Sequence, residues 1–247
     1  MNITSTSADI GIIGTGRMGV RLAAMFARAG RTVILGSRSP RRATSITDAL
    51  DLPGLSACTY AEAMEANAVL PAVFIRDGLL DLIAGFGDHL SGKLVIDISN
   101  PFNEDYSDFL TPWDTSGAEE LAKRLPGAHV VGAFKNVFWE VFDAPLFEEG
   151  VSDVLVTGDD PEAKRAFLAL AEGTPFRYLD AGPLKNARTV ERLTLLTGAL
   201  GRQIGAYPRM NWRLLGSGDW KEGEDRQGID RLIATGSNWP AIDGETA

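Results

Sequence analysis

The stretch IGIIGTGRMGVRLAAMFARAG, residues 10–30, decides the fold class that the sequence predicts. Residues 10–13 are an apolar run typical of a short buried strand, and residues 19–29 predict an alanine-rich helix that ends at Gly30. The glycines of this stretch have the spacing G-x-G-x-x-G: Gly14, Gly16 and Gly19. Because the spacing follows a strand and opens a helix, it predicts a dinucleotide-binding unit rather than a set of turn glycines.

Each of the three glycines has a distinct expected role. Gly14 permits the tight turn, Gly16 lets a pyrophosphate approach the backbone, and Gly19 lets the helix pack closely against the strand. The free N–H groups and the dipole at the helix start then bind phosphates without a net positive charge.

Apolar runs of strand length alternate with helical patterns from Asp9 onward, as in parallel strands joined by crossover helices. We therefore expect an α/β fold, a Rossmann-type doubly wound parallel sheet with a smaller C-terminal α/β domain. The expected divisions are a nucleotide-binding domain over 9–128, a smaller domain over 129–215 that completes the cleft, and a C-terminal extension over 216–247.

Two segments give more specific expectations. Residues 68–73 predict a strand, although Pro71 lacks the N–H that a central strand uses. Residues 186–204 predict a long helix with one buried apolar stripe. The stripe consists of five residues at helical spacing: Val190, Leu193, Leu196, Leu200 and Ile204.

The end of the second predicted strand, residues 32–35, bears on which nucleotide binds. An acidic residue at this point would bond the ribose hydroxyls of NAD, but the sequence has Ser37 and Arg38, with Arg41 and Arg42 one helical turn on. A guanidinium matches phosphate oxygens, so the cluster favours the 2′-phosphate of NADP. The alternative, a solvated basic helix start, is electrostatically unfavourable because a helix N-terminus prefers acids.

Three further segments end near the same predicted cleft. VIDISNPF, residues 95–102, places Ser99, Asn100 and Pro101 after a buried strand, where they contact the cofactor or only cap a turn. VVGAFKNVFWEVF, residues 130–142, delivers Lys135 and Asn136, followed by aromatic residues that form a flat slot or, more commonly at this spacing, belong to the core. LDAGPLKNARTVERLT, residues 179–194, predicts a Gly-Pro turn that is either the floor of a second ligand site or a simple connector.

Composition excludes several classes of function. The net charge of −9 would repel a phosphate backbone, so we expect no nucleic-acid partner. The only two histidines, His89 and His129, lack metal-ligand spacing, and no metal site is expected. The single cysteine, Cys58, and the lack of a basic-apolar leader or a membrane-length apolar run lead us to expect a cytoplasmic protein without a membrane partner.

The sequence resembles the coenzyme F420-dependent NADP oxidoreductases over residues 10–215. The resemblance rests on IGIIGTGRMG with GSR at the second strand, on VIDISNPF, and most specifically on YLDAGPLKNARTVERLTLL. It implies hydride transfer between NADPH and the deazaflavin F420, with the two rings stacked in a cleft between two domains, in a homodimer. A catalytic acid or base is then not required, because direct transfer depends on proximity and exclusion of water.

The resemblance also implies site residues. The cofactor is expected to contact two groups of residues: Thr15, Arg17 and Met18 along the pyrophosphate, and Ser37, Arg38 and Arg42 at the 2′-phosphate. Ala72 and Val73 are expected at the cofactor too, because Val73 and Phe74 stand where the family has a pair that touches nicotinamide. The second substrate is expected to contact five residues: Lys135, Asn136, Gly182, Pro183 and Leu184.

Lys135 leads to an alternative, because the family commonly has His or Asn at this place. The protein could instead be an NADPH-dependent reductase of a biosynthetic metabolite with a C=N, C=C or C=O bond. Lys135 would then protonate the product, provided that burial lowers its pKa. Otherwise Lys135 is a surface charge or an ion-pair partner. A third possibility is a protein that senses NADPH without turnover.

Overall fold

The fold is described from a computed structural model, in which residues 7–216 are described. Six parallel strands form one sheet in the order β3-β2-β1-β4-β5-β6. Their bounds are β1 Ile10–Ile13, β2 Val33–Gly36, β3 Leu55–Cys58, β4 Ala68–Pro71, β5 Leu94–Asp97 and β6 His129–Gly132. The expected Rossmann-type parallel sheet is therefore confirmed.

Eight α-helices accompany the strands within the described residues. Their bounds are α1 Arg17–Arg28, α2 Pro40–Leu50, α3 Tyr60–Met64, α4 Leu79–Ala84, α5 Gly87–Leu90, α6 Gly117–Arg124, α7 Pro161–Ala171 and α8 Ala187–Gln203. Beyond the large sheet, β7 Leu146–Phe147 and β8 Gly150–Val151 form a hairpin, and β9 Asp153–Val156 pairs in parallel with β10 Arg177–Asp180.

The large sheet has a separate apolar core on each face. Ile12 belongs to a core with Phe26 of α1 and Phe167 of α7, whereas its neighbour Ile13 belongs to a core with Leu121 of α6. Successive side chains of a strand point to opposite faces, so an apolar run without alternation supplies both cores. This explains why the first strand carries no polar residue.

Pro71 is accommodated because of the register at the end of β4. β4 pairs with β1 as far as Pro71, but its register with β5 ends at Val69. The missing N–H of Pro71 therefore removes no bond from the ladder. The strand ends at Pro71, two residues earlier than predicted.

The predicted domain boundary between residues 128 and 129 passes through the large sheet. β6 begins at His129, pairs with β5 along its whole length, and buries Val130 and Val131. Of the described residues, 7–213 belong to one compact unit. Of the predicted extension, residues 217–247 lie outside the described residues.

The predicted buried stripe of the long helix is wrong at three of its five residues; Val190 is buried and Leu193 is half-buried. Leu196, Leu200 and Ile204 are 52%, 40% and 73% exposed. The buried face of α8 is formed instead by small and polar residues: Ala187, Val190, Glu191, Thr194, Thr197, Gly198 and Gly201. Apolar periodicity was misleading here because α8 meets a buried polar cluster rather than an apolar core.

Candidate functional site

A cavity of about 1160 Å³ lies at the carboxyl ends of the parallel strands. Its lining includes most of the predicted cofactor-binding residues, namely Gly14, Thr15, Gly16, Arg17, Met18, Ser37, Arg38, Arg42, Ala72, Val73, Ser99 and Asn100. Open α/β sheets bind ligands at this edge, where the strand order reverses between β1 and β4.

The glycine turn between β1 and α1 has the geometry that its sequence predicts. Gly14 has a φ of +115°, and a Cβ on Gly19 would lie 2.0 Å from the Gly14 carbonyl oxygen. By contrast, a Cβ on Gly16 would meet nothing within 4 Å. Gly19 therefore serves helix packing outside the cavity lining, whereas Gly16 leaves open space at the helix start for a ligand.

The end of β2 forms a basic corner of the cavity. Ser37 is buried, and its Oγ accepts a bond from the Ser39 N–H at 3.1 Å. Arg42 donates from Nε to Thr15 Oγ1 at 3.1 Å, so the start of α2 is joined to the glycine turn. The first turn of α2 contains no acidic residue, and Arg38 lines the cavity beside it.

The charge of the cavity is opposite to that of the chain. Its lining contains four arginines, Arg17, Arg38, Arg42 and Arg202, and one acidic residue, Asp77. The whole chain carries a net charge of −9. The cavity therefore concentrates positive potential for an anionic ligand on an otherwise acidic protein.

Lys135 lies in a buried ionic cluster below the β5 end of the cavity. Its Nζ is 2.6 Å from Asp97 Oδ2 and 2.9 Å from Glu191 Oε1, and it also donates to the Ser99 carbonyl oxygen. The side chains of all three ionic residues are at most 1% exposed. An ammonium group has three donors, so these three acceptors saturate it.

Backbone N–H groups and the Ser99 hydroxyl donate the remaining hydrogen bonds to the two carboxylates. The Asp97 Oδ1 atom accepts from the backbone N–H of Ser99 and from its hydroxyl. Glu191 accepts from the N–H groups of Gly117 and Ala118 at the start of α6. The cluster thus joins β5, β6, α6 and α8 at one point.

The pKa of Lys135 is shifted away from the direction that the proton-donor interpretation requires. Burial alone would lower the pKa, but the nearby charges of Asp97 and Glu191 outweigh it and hold the pKa above its ordinary value. For Glu191, burial disfavours the charged carboxylate and so raises the pKa, whereas the positive charge of Lys135 lowers it. Of the alternatives for Lys135, the structure supports the ion-pair partner and excludes the surface charge.

Within the part of the chain that the structure describes, the other predicted second-substrate residues do not line the cavity. Asn136 is fully buried, donates to the Asp153 carbonyl oxygen and accepts from the Leu155 N–H, so it joins the end of β6 to β9. Gly182 has a φ of +85° in the turn after β10, and Leu184 is buried in the core on the α6 face.

Pro183 and Pro101 are also absent from the part of the cavity lining that lies within residues 7–216. Pro183 is the N-cap of the short helix Leu184–Asn186, and Pro101 is buried. The Gly-Pro turn therefore acts as a connector from β10 to α8, which was one of its two interpretations.

The cavity is also lined by residues that sequence reasoning did not assign to it: Ile98, Phe102, Tyr106, Phe134, Val137, Thr194, Leu195, Gly198, Arg202 and Tyr207. Phe138 and Trp139, which line it too, belong to the aromatic run for which a flat slot was one of two interpretations. Trp139 and Tyr207 meet edge to face at 5.5 Å; Arg17 stacks on Trp139 and Arg202 on Tyr207. The spacing of Thr194, Gly198 and Arg202, each four residues apart on one helix face, was an available signal.

Within residues 7–216, no helix has the length and apolarity that a membrane crossing requires. The same residues contain no group of three or more His, Cys, Asp or Glu side chains that could hold a metal ion.

A glycine turn at the switch edge of a parallel sheet, beside a basic corner at the end of β2, defines an NADP-dependent oxidoreductase. The family model described as NADP oxidoreductase coenzyme F420-dependent matches residues 9–101. An F420-dependent NADP reductase of Methanothermobacter marburgensis is 30% identical over 197 residues, which cover 74% of this chain and 87% of that relative. The chain belongs to the family of coenzyme F420-dependent NADP oxidoreductases.

Other similar proteins differ in name and length. The metalloreductase STEAP3 of Rattus norvegicus is 32% identical over 195 residues, which cover 78% of this chain but only 38% of STEAP3. A crystal structure from Arthrobacter sp. FB24 has a TM-score of 0.71 at 23% identity, covering 81% of this chain and 96% of that one, and so shows the same fold.

Proposed function

We propose that this protein transfers hydride between NADPH and coenzyme F420. The observation that carries the proposal is one continuous cavity with a basic corner at the end of β2 and an aromatic slot beyond β6. Four strand spacings separate β2 from β6, or about 19 Å at ~4.8 Å each. The cavity is therefore long enough for an extended dinucleotide with a second ring beside its far end.

The nucleotide end of the cavity fits NADPH. Open space at Gly16 and the N–H groups at the start of α1 suit the pyrophosphate. Arg38 and Arg42, at a helix start without acids, suit the 2′-phosphate, which would use the guanidinium donors that Arg42 does not give to Thr15.

The other end of the cavity suits a planar second substrate. Phe138, Trp139 and Tyr207 present ring faces and edges, and Val137 and Leu195 add aliphatic surface. Bound NADPH supplies the hydride, so these side chains need only align the second ring and exclude water. Because the Nζ of Lys135 is saturated by its partners, the alternative in which Lys135 protonates a metabolite is disfavoured.

The test is to mix the protein with NADPH and oxidised F420 and to follow the deazaflavin absorbance. We expect bleaching that depends on both reactants. If NADPH binds but the absorbance does not change, hydride transfer to F420 is refuted, and a sensor or a reductase of another acceptor is left.

The nucleotide end is tested separately by a pair of arginine variants. Arg38→Ala should raise the KM for NADPH roughly 10- to 100-fold, because a hydrogen bond to a charged group contributes about 1.5–3 kcal/mol. The KM for NADH should change less than about twofold. Arg41→Ala is the matched control, since Arg41 is the neighbouring arginine that the cavity lining omits, and it should leave both values unchanged.

Homodimerisation and a cytoplasmic location, both expected from the sequence, remain predictions. Size-exclusion chromatography with light scattering tests the first, and cell fractionation tests the second.

A further inference from the structure

The hydrogen bonds of the buried ionic cluster, formed by Asp97, Lys135 and Glu191, define its net charge. The Nζ atom of Lys135 has only acceptors around it, as an ammonium group requires. Every partner that the described residues give the carboxylate oxygens is a donor: the Lys135 ammonium, the Ser99 N–H and hydroxyl, and the N–H groups at the start of α6. A protonated carboxyl would need an acceptor for its own O–H. Two carboxylates at −1 and one ammonium at +1 therefore give the cluster a net charge of −1.

Nothing in the immediate surroundings cancels this charge completely. The side chains of the cluster are at most 1% exposed, so water and salt screen them weakly. The neighbouring ion pair between α6 and α8, Glu119 with Arg188, contains one charge of each sign and adds no net charge. The partial positive charge at the start of α6 offsets about half a unit. A negative field from the cluster is left.

The cluster lies one layer of residues below the cavity. Ser99 bonds directly to Asp97 and Lys135, and Thr194 Oγ1 donates to the Lys135 carbonyl oxygen. Ser99 and Thr194 both line the cavity. An electric field crosses such a layer without any contact between the cluster and a ligand. The cluster therefore acts on a ring that lies over the β5 end of the cavity.

The orientation of the dinucleotide in the proposed function puts the nicotinamide at this end. The 2′-phosphate lies at the end of β2 and the pyrophosphate at the glycine turn after β1, so the other half continues over β4 towards β5. The nicotinamide ring is neutral in NADPH and cationic in NADP⁺. Hydride transfer breaks the C4–H bond of the reduced ring and gives both electrons to the acceptor, which forms the new C–H bond and takes up a proton from water. Positive charge thus develops on the ring above the cluster.

We infer that the buried ionic cluster stabilises the oxidised, cationic nicotinamide, and that it makes bound NADPH a stronger hydride donor than free NADPH. A unit charge about 10 Å away, at an effective dielectric constant of about 20, changes the affinity for a cation by roughly tenfold. A tenfold preference for NADP⁺ lowers the potential of the bound two-electron couple by about 30 mV. The inference rests on the nucleotide half of the proposed function and gives the reaction a direction, from NADPH to the second substrate.

The arginines of the cavity lining do not cancel this preference. Arg38 and Arg42 suit the 2′-phosphate, which is identical in NADP⁺ and NADPH, so they contribute equally to both. Arg17 and Arg202 are exposed, so water and salt screen their effect on the ring.

The test compares the dissociation constants of NADP⁺ and NADPH, measured by calorimetry without a second substrate. The pH is about 8, because burial raises the pKa of Glu191 and the carboxylate must be charged. The wild-type protein should bind NADP⁺ about tenfold more tightly than NADPH. Glu191→Gln removes one negative charge and should bring this ratio to about one. Glu191→Asp keeps the charge and should keep most of the ratio, whereas a merely structural role would be disturbed by both substitutions.

Two further variants complete the test. Asp97→Asn removes the other negative charge and should lower the ratio as Glu191→Gln does. Arg38→Ala is the matched control, because it should weaken both nucleotides alike and keep the ratio. Circular dichroism identifies the variants that fold.

The outcomes separate this inference from the proposed function. A wild-type protein that binds NADPH as tightly as NADP⁺, or more tightly, overturns the inference whether or not any variant folds. A ratio that is unchanged in folded Glu191→Gln, or that is lost equally in Glu191→Asp, overturns it as well. If neither nucleotide binds, the proposed function fails together with the inference, so the two failures are distinguishable.

Discussion

Replacing Lys135 with methionine should destabilise the protein strongly. Methionine keeps much of the side-chain length but removes the cation that lies 2.6 Å from Asp97 and 2.9 Å from Glu191. Breaking a buried pair by removing one partner costs about 3–5 kcal/mol, because the remaining charge is buried without compensation. For a chain of this size, about 2–4 °C per kcal/mol converts this loss to a Tm lower by roughly 6–20 °C.

The pH dependence of the loss follows from the remaining acids. Burial raises the pKa of Glu191, and Lys135 opposes that rise, so removing Lys135 should raise the pKa further. An acid with a folded pKa above its unfolded value stabilises the fold when protonated and loses that contribution as pH rises through the folded pKa. The deficit of Lys135→Met should therefore be smaller at about pH 5 than at about pH 8.

Thermal melts give the change in Tm, and urea unfolding at the two pH values gives the change in unfolding free energy. Lys123→Met is the control, because Lys123 pairs with Glu120 but is 63% exposed, and its Tm should fall by less than about 2 °C. Adding Glu191→Gln to Lys135→Met should recover part of the loss, since one uncompensated charge disappears. If Lys135→Met unfolds like Lys123→Met at both pH values, the proposed energetics of the cluster are refuted.

Three further experiments test other parts of the structure. Gly16→Ala should fold with an unchanged Tm, yet bind NADP⁺ at least about tenfold more weakly, because its methyl group occupies ligand space. Gly19→Ala, by contrast, should lose about 1–3 kcal/mol of unfolding free energy in urea, because its Cβ would meet backbone. Burial, aided by the charge of Glu62, raises the pKa of Cys58 to about 12. Thiol labelling of the folded protein at about pH 8 should therefore be roughly a thousandfold slower than labelling of the protein unfolded in urea, and equal rates would contradict the burial. Arg202→Gln should raise the KM for F420 severalfold without changing the Kd for NADPH, since Arg202 lies at the aromatic end; a change in the NADPH Kd alone would contradict that placement.

The nucleotide end could be predicted from sequence because it depends on local geometry. The positive φ of Gly14 and the close approach of Gly19 to the Gly14 carbonyl oxygen both arise within one strand–turn–helix unit, and Arg38 lies two residues after the next strand. Local sequence contains nearly all the information for such a unit. The sheet itself followed from the alternation of apolar runs, except for β3, whose residues are only partly buried at the sheet edge.

The aromatic end of the cavity and the ionic cluster could not be predicted in the same way. Lys135 meets Asp97 and Glu191, which are 38 and 56 positions away in the chain, so neither pairing leaves a local pattern. The same cluster explains the error in α8, because Glu191 and Thr194 are buried beside Val190, on a face rotated away from most of the predicted apolar stripe. A polar residue of a helix is assigned to solvent from sequence unless its buried partners are known.

The lining of the cavity divides by position in the chain. The residues that suit the pyrophosphate and 2′-phosphate lie between Gly14 and Arg42, whereas the aromatic slot is built from residues 137–139 and 194–207. We therefore expect substitutions in the later segments to change the second substrate more than the dinucleotide. The two groups of residues meet where Arg17 stacks on Trp139, so a substitution at that contact should affect both.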